Sequence, residues 1–237
     1  MSKYTINTST NITEEKDTLG GGSYLMESDA YDFIIKHAFI KQAKSGALAL
    51  SILVRNTNKQ EHKEDLWFVS GDAKGNKTFF TKDGVDRPLP SYTVANNICI
   101  ASVGKTIDEL LATTEPKIIK QYDYASSSEQ PTEVDMIMAL KDQPISLGIL
   151  KETVDKTAKN EATNKYEPTG ETKDINRIDK VFRASDGKTV SEIKSDAEAS
   201  FKVLWVEKNQ NETRNLAKGA SNNNNKNAST ESSTFSF

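Results

Sequence analysis

Apolar and polar positions alternate through the first half of the chain. Between Ala30 and Ile40 one side of the predicted strand carries Tyr31, Phe33, Ile35, His37 and Phe39. A period of two residues is typical of a β-strand with one buried face. A second alternating run over Ala47–Val54 follows a turn that contains Gly46. The two runs therefore predict a β-hairpin, with Phe33, Ile35 and Phe39 facing the core and Lys36 and Ile40 facing outward.

The remaining pattern predicts more strands, split by a helical segment. Further strands are expected over Asp65–Ser70, Lys77–Thr81, Lys117–Tyr124, Glu133–Leu140 and Pro144–Val154. Ser91 is a candidate helix cap, and Thr106 and Glu109 have the spacing of a capping box. The polar stretch Asp155–Asp174 has no period and predicts a long mobile loop. Val190–Trp205 is compatible with either helix or strand.

This element order predicts a mainly β fold: an OB-type Greek-key barrel with helical insertions and a disordered C-terminal tail. A β-sandwich is the alternative. We expect a flexible N-terminal arm at 1–22, a nucleic-acid-binding domain at 23–207 and a disordered tail at 208–237. Residues 208–237 contain eight asparagines, and such a polar segment buries too little surface to offset the entropy of ordering.

Composition argues against most catalytic chemistry. The 237 residues include one cysteine, Cys99, and two histidines, His37 and His62. This leaves no disulfide framework, and a zinc site of nitrogen and sulfur ligands is close to excluded. No nucleophile, phosphate-loop or dinucleotide motif occurs, so we expect a non-enzymatic protein without metal or cofactor. A Mg²⁺-dependent hydrolase that uses carboxylates remains a minor alternative.

The chain has no apolar run long enough to suggest a signal peptide or a membrane span. We therefore expect no membrane partner and a cytoplasmic location, which would be the host cytoplasm if the protein is viral.

Basic and aromatic residues are interleaved in one region. The net charge is −3, yet Lys36–Arg87 holds ten Lys or Arg and six Asp or Glu, a local excess of +4. Single-stranded nucleic acid requires cations for phosphates and flat rings for bases. The candidate nucleic-acid-binding residues are Lys36, Lys41, Lys44, Arg55, Lys63, Trp67, Lys74, Lys77, Phe79, Phe80 and Arg87.

Strand alternation selects the stacking candidates among these residues. Leu66 and Phe68 share one face of their strand, so Trp67 belongs to the other face. Phe79 and Phe80 are neighbours, so one of the two rings points outward. A sheet buried on both faces is the alternative interpretation.

Several short motifs resemble the single-stranded DNA-binding proteins of tailed bacteriophages. They are Lys44-Ser45-Gly46-Ala47-Leu48-Ala49-Leu50, Asp65-Leu66-Trp67-Phe68, Asn96-Asn97-Ile98 and Pro144-Ile145-Ser146-Leu147-Gly148-Ile149-Leu150. The resemblance spans roughly Tyr31–Trp205. It implies an OB fold that coats exposed single-stranded DNA during phage replication, recombination and repair.

The resemblance also implies a C-terminal tip that recruits replication proteins or, in some phages, the host RNA polymerase for transcription activation. Phe235 and Phe237 are the candidate docking residues. The family's tail is acidic before its terminal Phe, whereas residues 208–237 here have a net charge of +2. The second hypothesis is a structural or interaction protein of a phage, with a β-domain and a tethered docking peptide.

Overall fold

A computed structural model of the protein describes residues 25–123 and 126–218. The described strands are β1 Asp29–Gln42, β2 Leu48–Asn56, β3 Glu61–Val69, β4 Phe79–Lys82, β5 Val85–Pro88, β6 Glu115–Asp123, β7 Ser128–Met136, β8 Pro144–Asn160, β9 Lys165–Phe182 and β10 Thr213–Asn215. The helices are α1 Pro90–Val103, α2 Ile107–Leu111, α3 Val190–Lys194 and α4 Phe201–Asn209. The predicted N-terminal arm and the aromatic tip at Phe235 and Phe237 lie outside the described residues.

The fold is mainly β, and nearly all strand pairs are antiparallel. The ladder runs in the order β9, β8, β1, β2, β3. Strand β7 pairs with the end of β1 at Phe39 and Ile40, and β6 pairs with β7. The short β10 adds to β8 in parallel, while β4 and β5 form a separate hairpin.

The main core lies between one face of the sheet and helix α1. Leu50, Leu66 and Phe68 from the sheet meet Ile98 and Cys99 from the helix, and all five are buried. Burial also desolvates the Cys99 thiol and raises its pKa to about 12. The predicted capping box is confirmed, because Thr106 and Glu109 cap α2 reciprocally.

A β-bulge in β1 corrects the predicted faces of that strand. Ile35 pairs with Val54, but His37 pairs with Leu53, so Lys36 is the extra residue. An extra residue reverses the alternation beyond it. Ala38 and Ile40 therefore face the main core, and Phe39 joins a separate cluster with Val134 and Met136 on the other side. The prediction that Phe39 shares the core face with Phe33 and Ile35 was wrong.

The stretch Asp155–Asp174 is a hairpin arm instead of a mobile loop. It forms the distal halves of β8 and β9, which remain paired out to Asn160 and Lys165. Its side chains are mostly exposed, so the apolar period that usually reveals a strand is missing. The backbone ladder is supplemented by polar contacts across the arm, such as Lys156 to Glu171 at 2.8 Å.

No backbone ladder joins β3 to β9 among the described residues, so the sheet is open there. One side chain bridges the gap instead, since the Ile178 backbone N–H donates to Glu64 Oε2 at 2.8 Å. His62 Nε2 lies 3.0 Å from the same oxygen, and its side chain is only 7% exposed. The Glu64 carboxylate, whose side chain is 16% exposed, thus takes the place of the missing strand pairing.

The region near residue 208 differs from the predicted domain boundary. Helix α4 continues to Asn209, and β10 then pairs with β8. The buried Trp205 packs its ring against Gly148 and donates from Nε1 to Asp179 at 2.8 Å. These contacts place the start of the expected tail inside the folded body. The described part of the chain ends at residue 218.

Candidate nucleic-acid interface

The outward face of β1, β2 and β3 carries the aligned residues of the predicted site. Lys41, Ala49 and Trp67 form one row across the three strands. Ala49 is fully buried between its neighbours, whereas Trp67 is 40% exposed. Lys41 and Trp67 thus flank Ala49, which has no side chain beyond Cβ. This row therefore places a flat ring and a cation on either side of one small residue.

The β4–β5 hairpin begins close to the end of β3 that carries Trp67. Ser70 and Lys77 are joined by two hydrogen bonds, Ser70 N to Lys77 O at 2.9 Å and Lys77 N to Ser70 Oγ at 2.8 Å. The Lys77 ammonium lies 5.2 Å from the centre of the Phe79 ring, within the range of a cation–π contact. Phe80 is 40% exposed and stands opposite Arg87. Phe80 is thus the more exposed member of the Phe pair.

The turn between β1 and β2 packs on the 3₁₀ turn Asp72–Lys74. Asp72 N donates to Ser45 O at 2.7 Å. Gly46 adopts a φ of +78°, and a β-carbon there would come within 2.2 Å of Asp72 Oδ1. The contact therefore requires glycine, and it brings the exposed Lys44 and Lys74 to the same end of the sheet.

We call this region the Trp67 end of the outward face. The name covers Lys41 and Trp67 on the sheet, Lys44 and Lys74 at the neighbouring turns, and the adjoining β4–β5 hairpin with Lys77, Phe79, Phe80 and Arg87, which are eight of the eleven predicted binding residues. Phe79 and Phe80 lie on opposite faces of that hairpin.

The other three predicted residues lie away from this end. Arg55 pairs with Glu61 beside the β2–β3 turn. Lys63 lies opposite Leu53 on the outward face. Lys36 occupies the β1 bulge, 3.8 Å from Asp142 Oδ1. The structure does not bring these three cations together with Trp67.

The cations at the Trp67 end differ in whether they have an acidic partner. Lys41 Nζ binds Asp65 Oδ2 at 2.7 Å. Burial raises the pKa of Asp65, but the hydrogen bond from Lys41 and a neighbouring contact with Ser51 outweigh that effect, and the pKa is lowered overall. Lys44, Lys74, Lys77 and Arg87 form no salt bridge with any residue in 25–123 or 126–218. These four cations are therefore available to a phosphate.

Sequence reasoning missed Lys82, which belongs to the same surface. Lys82 shares a face of β4 with Phe80, and its partner Val85 on β5 is 55% exposed. Strand alternation from Phe80 would have identified it. The exposed Tyr166 on the β8–β9 arm was also missed, because the arm was expected to be a loop.

The arrangement suits non-covalent binding of a polyanion that carries flat bases. Within the described part of the chain, no three His, Cys, Asp or Glu residues are grouped so that they could hold a metal ion. No helix in that part is both long and apolar enough to cross a membrane. The chain matches no protein-family model and no curated protein.

Proposed function

We propose that the protein binds single-stranded DNA without strong sequence preference, through the Trp67 end of the outward face. The observation that carries the proposal is the pair of exposed rings, Trp67 and Phe80, each 40% exposed. Lys41 shares the row of Trp67, and Arg87, which has no acidic partner among the described residues, stands opposite Phe80. Base stacking on such rings contributes about 1–3 kcal/mol per base and tolerates any sequence. The cations supply the phosphate contacts.

The connectivity supports the finer assignment to an OB-type barrel. In that fold β1 pairs with the second strand and the fourth, the fourth pairs with the fifth, and a helix follows the third. Here β1 pairs with β2 and β8, β8 pairs with β9, and α1 follows β3. In such a barrel, the Glu64 bridge to Ile178 would lie at the opening between β3 and β9. The outward face of strands two and three is the usual oligonucleotide surface of this architecture.

The biological setting remains part of the proposal. The resemblance to phage proteins suggests action in phage DNA replication, recombination and repair, as a non-enzymatic coat on exposed strands in the host cytoplasm. It also suggests that Phe235 and Phe237 recruit a replication protein or the host RNA polymerase. No metal or cofactor is needed for either role.

The decisive experiment is titration of the full chain with oligothymidylate, followed by fluorescence anisotropy at several salt concentrations. Trp67→Ala and Phe80→Ala should each weaken binding by about 1–3 kcal/mol, the worth of one stacked base. Phe201→Ala is the matched control, because Phe201 is also 40% exposed but lies on α4. It should leave the affinity unchanged.

Cation removal provides an independent test. Lys77→Ala and Arg87→Ala should each lower the slope of log affinity against log salt by about 0.7, the value for one phosphate contact on a single strand. An affinity that ignores salt, or an equal loss in Trp67→Ala and Phe201→Ala, would rule out the proposed interface.

A further inference from the structure

A second surface lies away from the Trp67 end, between β9 and helix α4. It is a groove of about 510 Å³, which we call the α4 groove. It is defined by Asp179, Lys180, Phe201, Leu204, Lys208 and Arg214. A cleft of about 620 Å³ between β3, β9, α1 and α3 adjoins it, since both are lined by Asp179, Lys180 and Phe201.

The groove exposes apolar side chains on a helix that is firmly held. Leu204 is 59% exposed and Phe201 is 40% exposed, one helical turn apart. On the adjoining side of α4, Trp205 is buried against Phe182 in an edge-to-face contact, with ring centres 6.3 Å apart. The exposed residues are therefore presented by a fixed scaffold. Exposed apolar patches of this kind mark interaction surfaces.

The α4 groove is lined by more positively than negatively charged side chains. Three cations, Lys180, Lys208 and Arg214, line it against one acid, Asp179. Asp179 is already engaged, because it accepts from Trp205 Nε1 at 2.8 Å and lies 3.7 Å from both Lys180 Nζ and Arg214 Nη2. The lining therefore has an excess of two positive charges beside exposed apolar side chains.

Arg214 is fixed in place by a further contact outside the groove. Its Nη1 lies 3.3 Å from Oε1 of Glu152, a residue that is only 1% exposed. Arg177 satisfies the other carboxylate oxygen of Glu152 at 3.0 Å. The pairing holds the Arg214 guanidinium at the groove without adding an accessible acid.

We propose that the α4 groove docks an acidic peptide segment of another protein, one that carries Phe or Leu among Asp and Glu residues. The positive lining complements the acids, and Phe201 with Leu204 provides the apolar contact on which such interfaces depend. This function is separate from DNA binding and does not depend on it. It would let the protein hold a partner while the Trp67 end is occupied by a strand.

The test uses the full chain and a dye-labelled synthetic peptide that contains five Asp or Glu and two Phe residues. Fluorescence anisotropy should show saturable binding, which is lost when the acids become Lys or when both Phe become Ser. Leu204→Asp and Lys208→Glu should each weaken binding by about tenfold or more, the equivalent of about 1.4 kcal/mol.

Matched controls lie on α4 itself and on helix α3, which lines the adjoining cleft. Val203 is as exposed as Leu204, at 59%, but does not line the groove. Val203→Asp should therefore bind the peptide like the wild type, and so should Lys194→Glu at the end of α3. Circular dichroism of every variant confirms that the fold is retained.

Three results would overturn the proposal. The first is that the peptide does not bind the full chain. This includes the case in which it binds only after residues 219–237 are removed, because the occupant of the groove would then be the chain's own C-terminal segment. The second is full competition by oligothymidylate together with loss of DNA affinity in Leu204→Asp, which would make the groove a nucleic-acid site. The third is equal loss in Val203→Asp and Leu204→Asp. Failure of DNA binding alone would leave the result for the groove intact.

Discussion

The Ile178 amide and the Glu64 carboxylate form a hydrogen bond of 2.8 Å between two strands that share no backbone ladder. Replacing Glu64 by Ala leaves a poorly solvated N–H without an acceptor, and such a loss costs about 1–3 kcal/mol. We expect Glu64→Ala to lower the free energy of unfolding by that amount in urea denaturation. Glu64→Gln should lose less, because its amide oxygen still accepts one hydrogen bond.

Hydrogen exchange at the Ile178 amide gives the local readout. Glu64→Ala should accelerate that exchange, while Glu167→Ala on the exposed β8–β9 arm should not. Unchanged protection of Ile178 in Glu64→Ala would show that the carboxylate does not hold the gap between β3 and β9.

Gly148 lies under the indole of Trp205. A β-carbon at 148 would come within 2.9 Å of Cη2 and 3.0 Å of Cζ2. Overpacking of a filled site costs about 1–3 kcal/mol, so Gly148→Ala should lower the free energy of unfolding by that amount. Thermal or urea unfolding measures the change.

A double-mutant cycle isolates the contact between these two residues. Trp205→Phe removes the indole and should partly rescue Gly148→Ala, so the double variant should lose less stability than the sum of the two single variants. Strictly additive losses would mean that the substitution at 148 acts elsewhere.

Glu192 should make stability depend on pH. Burial raises its pKa, but backbone N–H groups of Thr189, Ser200 and Phe201 donate to the carboxylate and hold the pKa at about 2, below its usual value of 4.5. A depressed pKa in the folded state means that the stabilisation is complete above the unfolded value. It is lost as the pH falls from about 4.5 through about 2.

The measurement is the Tm of the wild type and of Glu192→Gln between pH 7 and pH 2. The wild type should be the more stable at pH 7, and the difference should shrink toward pH 2. If the Tm difference between the wild type and Glu192→Gln is the same at every pH, the Glu192 carboxylate is not a charged cap that joins α3 to α4.

Asp65 binds Lys41 at 2.7 Å, and at the proposed interface it would compete with phosphate for that lysine. Asp65→Asn should free Lys41 beside Trp67. We expect higher affinity for oligothymidylate and a slope of log affinity against log salt that is steeper by about 0.7. Anisotropy titrations at several salt concentrations measure both quantities.

The matched control is Glu61→Gln, which frees Arg55 at the opposite end of the same face. It should change neither the affinity nor the salt slope. If Glu61→Gln strengthens binding as much as Asp65→Asn does, the strand does not lie specifically at the Trp67 end.

The alternation of apolar and polar residues correctly predicted the features of the fold that are determined within a single strand. Leu66 and Phe68 flank Trp67 in the sequence, and both are buried. The indole between them therefore lies on the opposite, outward face, as predicted. The mainly β class and the capping box at Thr106 were equally visible, because each is encoded within a few residues.

The remaining features depend on which strands and side chains pair with each other, and the spacing of apolar residues along one strand does not show this. The bulge at Lys36 arises from the register between β1 and β2, and it moves Phe39 away from the main core. The arm between Asp155 and Asp174 is held by cross-strand hydrogen bonds without an apolar face. The pairing of Lys41 with Asp65 likewise joins residues that are distant in sequence. The candidate residues chosen from basic composition alone are therefore spread beyond the Trp67 end.

The burial of Cys99 has a practical consequence for studying this protein. It is the chain's single cysteine, and a thiol whose pKa is about 12 stays almost wholly protonated near neutral pH. Accessible thiolates attack maleimide and thiol-reactive nitroxide reagents, so these reagents should leave the natural sulfur unmodified. A cysteine introduced at an exposed site such as Val85 could then be labelled selectively in the native protein, with no need to repack the interior first.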